Sequence, residues 1–116
     1  MVIGEGYSGD DFYCDVALPR LAELDVVHDG DGVVAYHHTR PHWPLHIVVV
    51  PKRHVPSLTN LDGADEALVR ELLAVVQRLA ADVEREQGAA RVLTNLGAYQ
   101  DFKHLHVHVA SGEPLL

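Results

Sequence analysis

The sequence predicts an α+β domain: an antiparallel sheet of about five strands, one long helix across it and a short helical turn near the N-terminus. Three observations carry this reading. Between residues 62 and 87, apolar side chains recur at helical spacing at Leu68, Leu72, Val75, Leu79 and Val83, with Val69, Leu73, Val76 and Ala80 beside them. Short, β-branched stretches at 24–28, 33–37 and 45–50 are parted by Gly/Asp and Pro clusters. Residues 103–110 alternate polar with aliphatic side chains at the period of a strand.

Taken in order, residues 1–15 are rich in Gly and Asp and read as an N-terminal arm that docks through Phe12 and Tyr13. A helical turn follows over 18–24, with Pro19 near its start, where a missing N–H costs least. Strand 24–28, the turn Asp29-Gly30-Asp31-Gly32 and strand 33–37 form a hairpin. Pro41 and Pro44 hold the next loop extended, and Trp43 between them reads as a packed anchor. The strand at 45–50 is almost wholly aliphatic, which places it near the middle of the sheet with both faces buried. The helix has Asp62 or Asp65 as its cap, Gly88 as its left-handed stop, and expected ion pairs Glu66/Arg70 and Arg78/Asp82. Its apolar stripe is wide enough to bury one flank on the sheet and the other on a partner, so a homodimer through the helix is expected. Strands at 91–96 and 103–110 complete the sheet, and 111–116 is a short tail.

With 116 residues the chain is read as a single domain, and its hydrophobic content of 47% is that of an ordinary globular protein. A formal net charge of −8 repels polymeric nucleic acid and anionic membranes, which leaves a small molecule as the expected partner. The single cysteine, Cys14, provides no disulfide framework. The first residues lack a basic segment followed by an apolar one, and the longest aliphatic run, Ile47 to Val50, is too short to span a bilayer; a cytoplasmic location is expected.

The chemistry concentrates at His104, His106 and His108. In a strand these share one face, about 6.5–7 Å apart, while Leu105, Val107 and Val109 point into a core. A solvated strand face would rarely carry three titratable rings. The row suits either a metal held by two or three imidazoles, or one imidazole acting as nucleophile while its neighbours orient it and bind an anion. Spacing alone leaves both open. His37, His38 and His42 form a second group, with no Cys or carboxylate to complete a metal site, and His54 reads as a surface residue.

The run from Lys103 to Ala110 resembles the signature of the histidine triad (HIT) superfamily. The resemblance extends to Pro44-Leu45-His46 and the strand that follows, to the Pro51-Lys52-Arg53-His54 turn, to Asn95 and to Gln100, about two-thirds of the chain. It implies a HIT-like fold close to the Hint-like nucleotide hydrolase/transferase branch; no cofactor is expected. The activity implied is hydrolysis or nucleotidyl transfer at an α-phosphate of a nucleotide or nucleoside phosphoramidate, with His106 as nucleophile. For His106 to attack through one ring nitrogen, the other would carry the proton and be held by an acceptor, the His104 carbonyl being the nearest candidate, and His108 would donate to a phosphate oxygen. His104 and His46 would fix the rings, Asn95 would touch the phosphate or its leaving group, and Tyr13, Val16 or Leu18 would reach the base. Because the row lies on a strand face, replacing His106 is expected to leave the fold intact.

Many similar proteins carry a paired-Cys zinc element near the N-terminus; with Cys14 alone, that zinc is expected to be absent. Three positions depart from the pattern. His38 stands where an Asp would bind ribose hydroxyls. Tyr99 fills a Gly-rich loop. Asp101 replaces a small hydroxyl, as either a proton donor to the leaving group or a source of repulsion toward phosphate. His38, Tyr99, Gln100, Asp101 and Asn95 are therefore the expected substrate contacts, and a specialised substrate is expected. A metal-dependent hydrolase on the histidine row and a non-catalytic nucleotide-binding module are the other two readings.

Overall fold

The computed structural model describes residues 9 and 11–115; the expected arm at 1–8 and 10, and residue 116 of the tail, lie outside the described residues. Five strands, β1 (Val26–Asp29), β2 (Val33–His37), β3 (Leu45–Pro51), β4 (Arg91–Leu93) and β5 (Val107–Ser111), form one sheet in the order β1-β2-β3-β5-β4. Every neighbouring pair is antiparallel. The helix α1 spans Glu66–Gln87, and two short helical turns at Tyr13–Ala17 and Leu18–Glu23 precede the sheet.

The alternation of strand side chains builds two cores. On one face, Val33, Ala35, Ile47, Val49 and Val109 pack against Leu68, Leu72, Val75, Leu79 and Val83 of α1. Truncating one of these leucines to alanine costs about 2–5 kcal/mol, since the site collapses only in part. On the other face, Val34, Tyr36, Val48 and Val50 meet Tyr13 and Ala17 of the helical turns. Strand β3 is buried from His46 to Pro51, as its unbroken aliphatic run predicts.

The helix begins at Glu66 because the Asp65 carboxylate accepts the Leu68 N–H at 2.8 Å. Asp62 is therefore not the cap. Gly88, with φ of 84°, ends the helix in the left-handed region, where a Cβ would be strained. Glu66 and Arg70 pair as expected, but Arg78 and Asp82 do not. Arg78 Nη2 lies 2.8 Å from His28 Nδ1, and Asp82 takes Arg85 instead, because Arg78 sits on the flank of the helix that overhangs β1.

The last two strands are shorter than their alternation suggests. β4 ends at Leu93, and β5 begins only at Val107. In place of a ladder, the Thr94 hydroxyl donates to the His106 carbonyl at 2.7 Å and the Leu105 N–H donates to the Val55 carbonyl at 2.6 Å. His104 and His106 thus sit on an irregular segment that feeds the strand. Ser111 belongs to β5 rather than to the tail. Among the described residues no helix is long and apolar enough to cross a membrane.

Candidate active site

Register carries a row of side chains across the face opposite α1: Tyr36 on β2 pairs with Val48 on β3, Val48 with His108 on β5, and His108 with Leu93 on β4. This row floors a cavity of about 380 Å³, within the range of about 300–1,000 Å³ usual for small-ligand sites. Phe12, Tyr13 and Phe102 close one part of it with apolar surface, and His38, Arg40, His42 and Trp43 line another. His106, Asn95 and Asp101 also reach it.

Hydrogen bonds fix which nitrogen of each ring carries a proton. The His42 N–H donates to His46 Nδ1 at 2.9 Å, so a neutral His46 is protonated at Nε2. That nitrogen lies 2.8 Å from His108 Nδ1, which must then accept, leaving His108 with its proton on Nε2. His106 Nδ1–H donates to the His104 carbonyl at 2.7 Å, which leaves the lone pair on Nε2. Burial disfavours the charged form of all these rings. It pushes His46 down to about 3, with His38 and His42 adding to the effect, and His108 to about 3, with His106 and His46 adding. His106 is lowered by burial against the opposing bond to the His104 carbonyl. The site therefore offers one imidazole with a free lone pair beside one with a free N–H.

His104 does not line the cavity. Its Nε2–H donates to the Pro51 carbonyl at 2.8 Å, so Nδ1 of the neutral ring holds a lone pair. That lone pair faces Asp11 Oδ2 at 3.1 Å and Cys14 Sγ at 3.2 Å. His54 Nδ1 completes the cluster, 2.7 Å from Asp11 Oδ2 and 3.8 Å from Cys14 Sγ. Asp11 is pushed up by burial, but the Cys14 amide, together with His104 whenever that ring carries a proton on Nδ1, outweighs this and holds it below its ordinary value. Burial, then Asp11, raises the Cys14 thiol to about 12. The His54 Nδ1–H can serve the carboxylate and the thiol hydrogen the His104 lone pair, yet Asp11 Oδ2 and Nδ1 of the neutral His104 still face each other at 3.1 Å with no proton between them.

These residues fit a zinc ion. Donors around tetrahedral zinc lie roughly 3.4–3.7 Å apart, close to the separations found here, and a ligating imidazole commonly gives its other N–H to a backbone carbonyl, as His104 does to Pro51. The expected absence of this element rested on the missing second cysteine; Asp11 and the half-exposed His54 supply the other donors. The Asp-x-x-Cys spacing of residues 11–14 was the signal available in the sequence. The three rings of His38, His46 and His108 also approach one another, but there the hydrogen-bonded pair, His46 Nε2 and His108 Nδ1, already has one donor and one acceptor.

Of the expected substrate contacts, Asn95, Asp101 and His38 line the cavity, and Tyr99 and Gln100 do not. Tyr99 sits on a 3-10 turn and is 82% exposed. Gln100 is buried and gives its amide N–H to the Pro56 carbonyl at 2.8 Å, so it braces the loop after β3. Among Tyr13, Val16 and Leu18, Tyr13 lines the cavity, its ring 4.8 Å from that of His106. Trp43 is both anchor and wall: it packs edge-on to His46 at 4.9 Å beneath the Arg91 guanidinium at 5.4 Å.

Residues 10–113 match the family model described as scavenger mRNA decapping enzyme C-term binding. A HIT-like protein of Chlamydia pneumoniae is 32% identical over 100 residues, covering 84% of this chain and 90% of that protein. A histidine triad protein of Clostridium difficile superposes with a TM-score of 0.73 at 30% identity, over 94% of this chain and 96% of the other. A hypothetical histidine triad nucleotide-binding protein of Sulfolobus tokodaii gives a TM-score of 0.73 at 29% identity, over 86% of this chain and 67% of the other.

Proposed function

Because the chain belongs to the histidine triad superfamily, we propose that it is a hydrolase or nucleotidyl transferase acting on a nucleotide-like substrate, with His106 as the nucleophile. The observation that carries this reading is the bond from His106 Nδ1–H to the His104 carbonyl, which commits the other nitrogen of a cavity-lining ring to a lone pair. Nε2 attacks phosphorus in line, a P–N bond to the ring forms, and the P–N or P–O bond to the leaving group breaks, its electron pair staying on the departing nitrogen or oxygen, which takes a proton from solvent or through Asp101. His108, with its proton on Nε2, donates to a non-bridging oxygen as charge builds there. Water then attacks the phospho-imidazolium, the ring leaves as neutral imidazole, and the water proton is lost to solvent. The flat apolar surface of Phe12, Tyr13 and Phe102 suits a base.

A nucleotide as ligand is supported by the name of the Sulfolobus tokodaii protein and by the size of the cavity. Asp11, Cys14, His54 and His104 would hold a zinc ion. When bound, that ion supplies a fixed positive centre that immobilises His104, whose carbonyl in turn holds the His106 ring. The test is incubation with adenosine 5′-phosphoramidate, quenching, and mass spectrometry of the intact protein. A nucleotidyl adduct on the parent but not on His106→Asn is expected. Steady turnover by His106→Asn would overturn the assignment.

A further inference from the structure

Among the described residues, two polar groups beside the cavity are buried without a hydrogen-bond partner: the Tyr36 hydroxyl, on a side chain only 1% exposed, and Trp43 Nε1–H. Both residues line the cavity. His38 joins them. Its Nδ1 accepts the Arg40 N–H at 2.9 Å, which consumes the one lone pair of the neutral ring and leaves an N–H on Nε2. Burial, with His42 adding, pushes His38 down to about 4, so the ring is neutral at pH 7. Burial likewise raises Tyr36 above its ordinary value and keeps the phenol protonated. Arg40 is the one Arg or Lys among the described residues lining the cavity.

A carboxylate fixes a sugar diol by accepting from its hydroxyls, and neither His38, whose one lone pair is taken by the Arg40 N–H, nor the Trp43 indole has a lone pair left to do so. Their N–H groups suit oxygen lone pairs, and the guanidinium favours negative charge. His38 lies apart from the apolar end: it stacks on His46 at 4.4 Å and sits 5.9 Å from His108, whereas Tyr36 packs with Tyr13 and the other aromatic residues that gather against His106. A substrate whose phosphorus reaches His106 and His108 therefore extends toward two chemically different surfaces.

We infer that the substrate carries, besides the phosphorus attacked by His106, a second oxyanion group that docks against His38, Arg40 and Trp43. This rests on the proposed reaction for the location of the phosphorus. The second anion can belong to the nucleoside, as a sugar phosphate, or to the departing group, as a carboxylate; the shared chemistry is an anionic oxygen acceptor.

The experiment uses the full chain and two matched pairs. Adenosine 3′,5′-bisphosphate is compared with adenosine 5′-monophosphate by calorimetry. The adenosine 5′-phosphoramidate of glycine is compared with that of glycine methyl ester by kcat/KM. A preference of at least about tenfold for the anionic member of one pair is expected, since a charge-assisted bond in a partly desolvated site is the stronger kind. Its location says which part of the substrate bears the anion. The preference should shrink severalfold in Arg40→Ala and fall or reverse in His38→Asp, while circular dichroism reports that both variants fold. No preference in either pair, or a preference that survives both substitutions, overturns the inference. The two proposals fail separately. A His106 adduct without anion preference sinks only the second site, whereas an Arg40-dependent anion preference in the calorimetric pair without an adduct from any phosphoramidate sinks only the reaction.

Discussion

His46 and His108 meet nitrogen to nitrogen, Nε2 to Nδ1 at 2.8 Å, across the antiparallel pair β3–β5. Two facing imidazole nitrogens need one proton between them, and the His42 amide settles its direction by occupying His46 Nδ1. The order set by one loop amide therefore passes through two rings and emerges in the cavity as the N–H of His108. Neither ring can gain a proton without setting two donors face to face.

Acid should destabilise the protein earlier than ordinary surface histidines would. The sign follows from linkage: His46 and His108 titrate near 6.5 when unfolded and near 3 when folded, so below 6.5 the unfolded chain binds more protons. The stability is complete above 6.5 and is lost as pH falls toward 3. By pH 5 one such group accounts for about 2 kcal/mol, and thermal melts should drop by on the order of 10 °C between pH 7 and 5. An unchanged melting temperature over that range would contradict a buried neutral pair.

His106→Asn should reduce turnover by about three orders of magnitude or more, because removing a covalent nucleophile removes the route itself. The ring is 5% exposed and packs on Tyr13, so it is not the exposed strand face its alternation suggests. His106→Ala should accordingly also cost stability, on the order of 1–3 kcal/mol, readable as a lower denaturation midpoint. Asn keeps a donor for the His104 carbonyl and should cost less.

Protein purified without chelator should hold about one zinc per chain by elemental analysis, given four converging donors of types that zinc prefers. Removing it should lower the melting temperature. Asp11→Ala and His54→Ala should each weaken zinc retention at least about tenfold, as losing a supporting group alone commonly does. Stoichiometry near zero in the parent would mean that protons, not a metal, reconcile Asp11 with His104.

The helix and the aliphatic strands were legible because their periodicity is local and their burial is one-sided. Trp43 as anchor follows from a residue and its immediate neighbours, whereas the choice of Asp65 over Asp62 as cap turned on where the helix begins. The zinc-fitting cluster was not legible in that way: Asp11 precedes the first helical turn and Cys14 lies in it, His54 comes from the loop after β3 and His104 from the lead-in to β5. No spacing links these segments. Gln100 misled for a related reason, since proximity to His104 in the chain says nothing of a side chain that turns back to Pro56. The unsatisfied Tyr36 hydroxyl was out of reach too, because an apolar strand pattern reports where a tyrosine ring is buried and not what its oxygen meets.

A homodimer is expected on the side of α1 away from β1. Glu71 bonds to Gly32 and Arg78 to His28, which places that flank over β2 and β1. The opposite flank, Val69, Leu73, Val76 and Ala80, then faces the β4 edge, where Val92 is 48% exposed and Leu73 63%. An open edge strand beside an uncovered apolar flank suits a second copy related by a two-fold axis. Light scattering at micromolar concentration should give twice 12.8 kDa, and Leu73→Glu should shift it toward the monomer. A monomeric parent would refute the arrangement.

Asp101 tests how the leaving group departs. It lines the cavity with His106 and Phe102, on the bend that leads into the histidine segment, and its side chain reaches solvent. A carboxylate within a few Å of a bound phosphate in a partly dry site is opposed by like charge, on the order of several kcal/mol, and taking up a proton relieves that repulsion. The same proton can then pass to a departing amine or alkoxide. A substrate whose leaving group is already a weak base gains little from this, while one with a strongly basic leaving group depends on it. Asp101→Asn should therefore slow phosphoramidates of basic amines by about 10²-fold and leave nitrophenyl esters nearly unchanged. Asp101→Ser should move preference toward ordinary adenosine phosphoramidates, whose phosphate no longer meets a carboxylate. Equal rates for parent and both variants across good and poor leaving groups would remove Asp101 from the departure step and make it a solvated wall of the cavity.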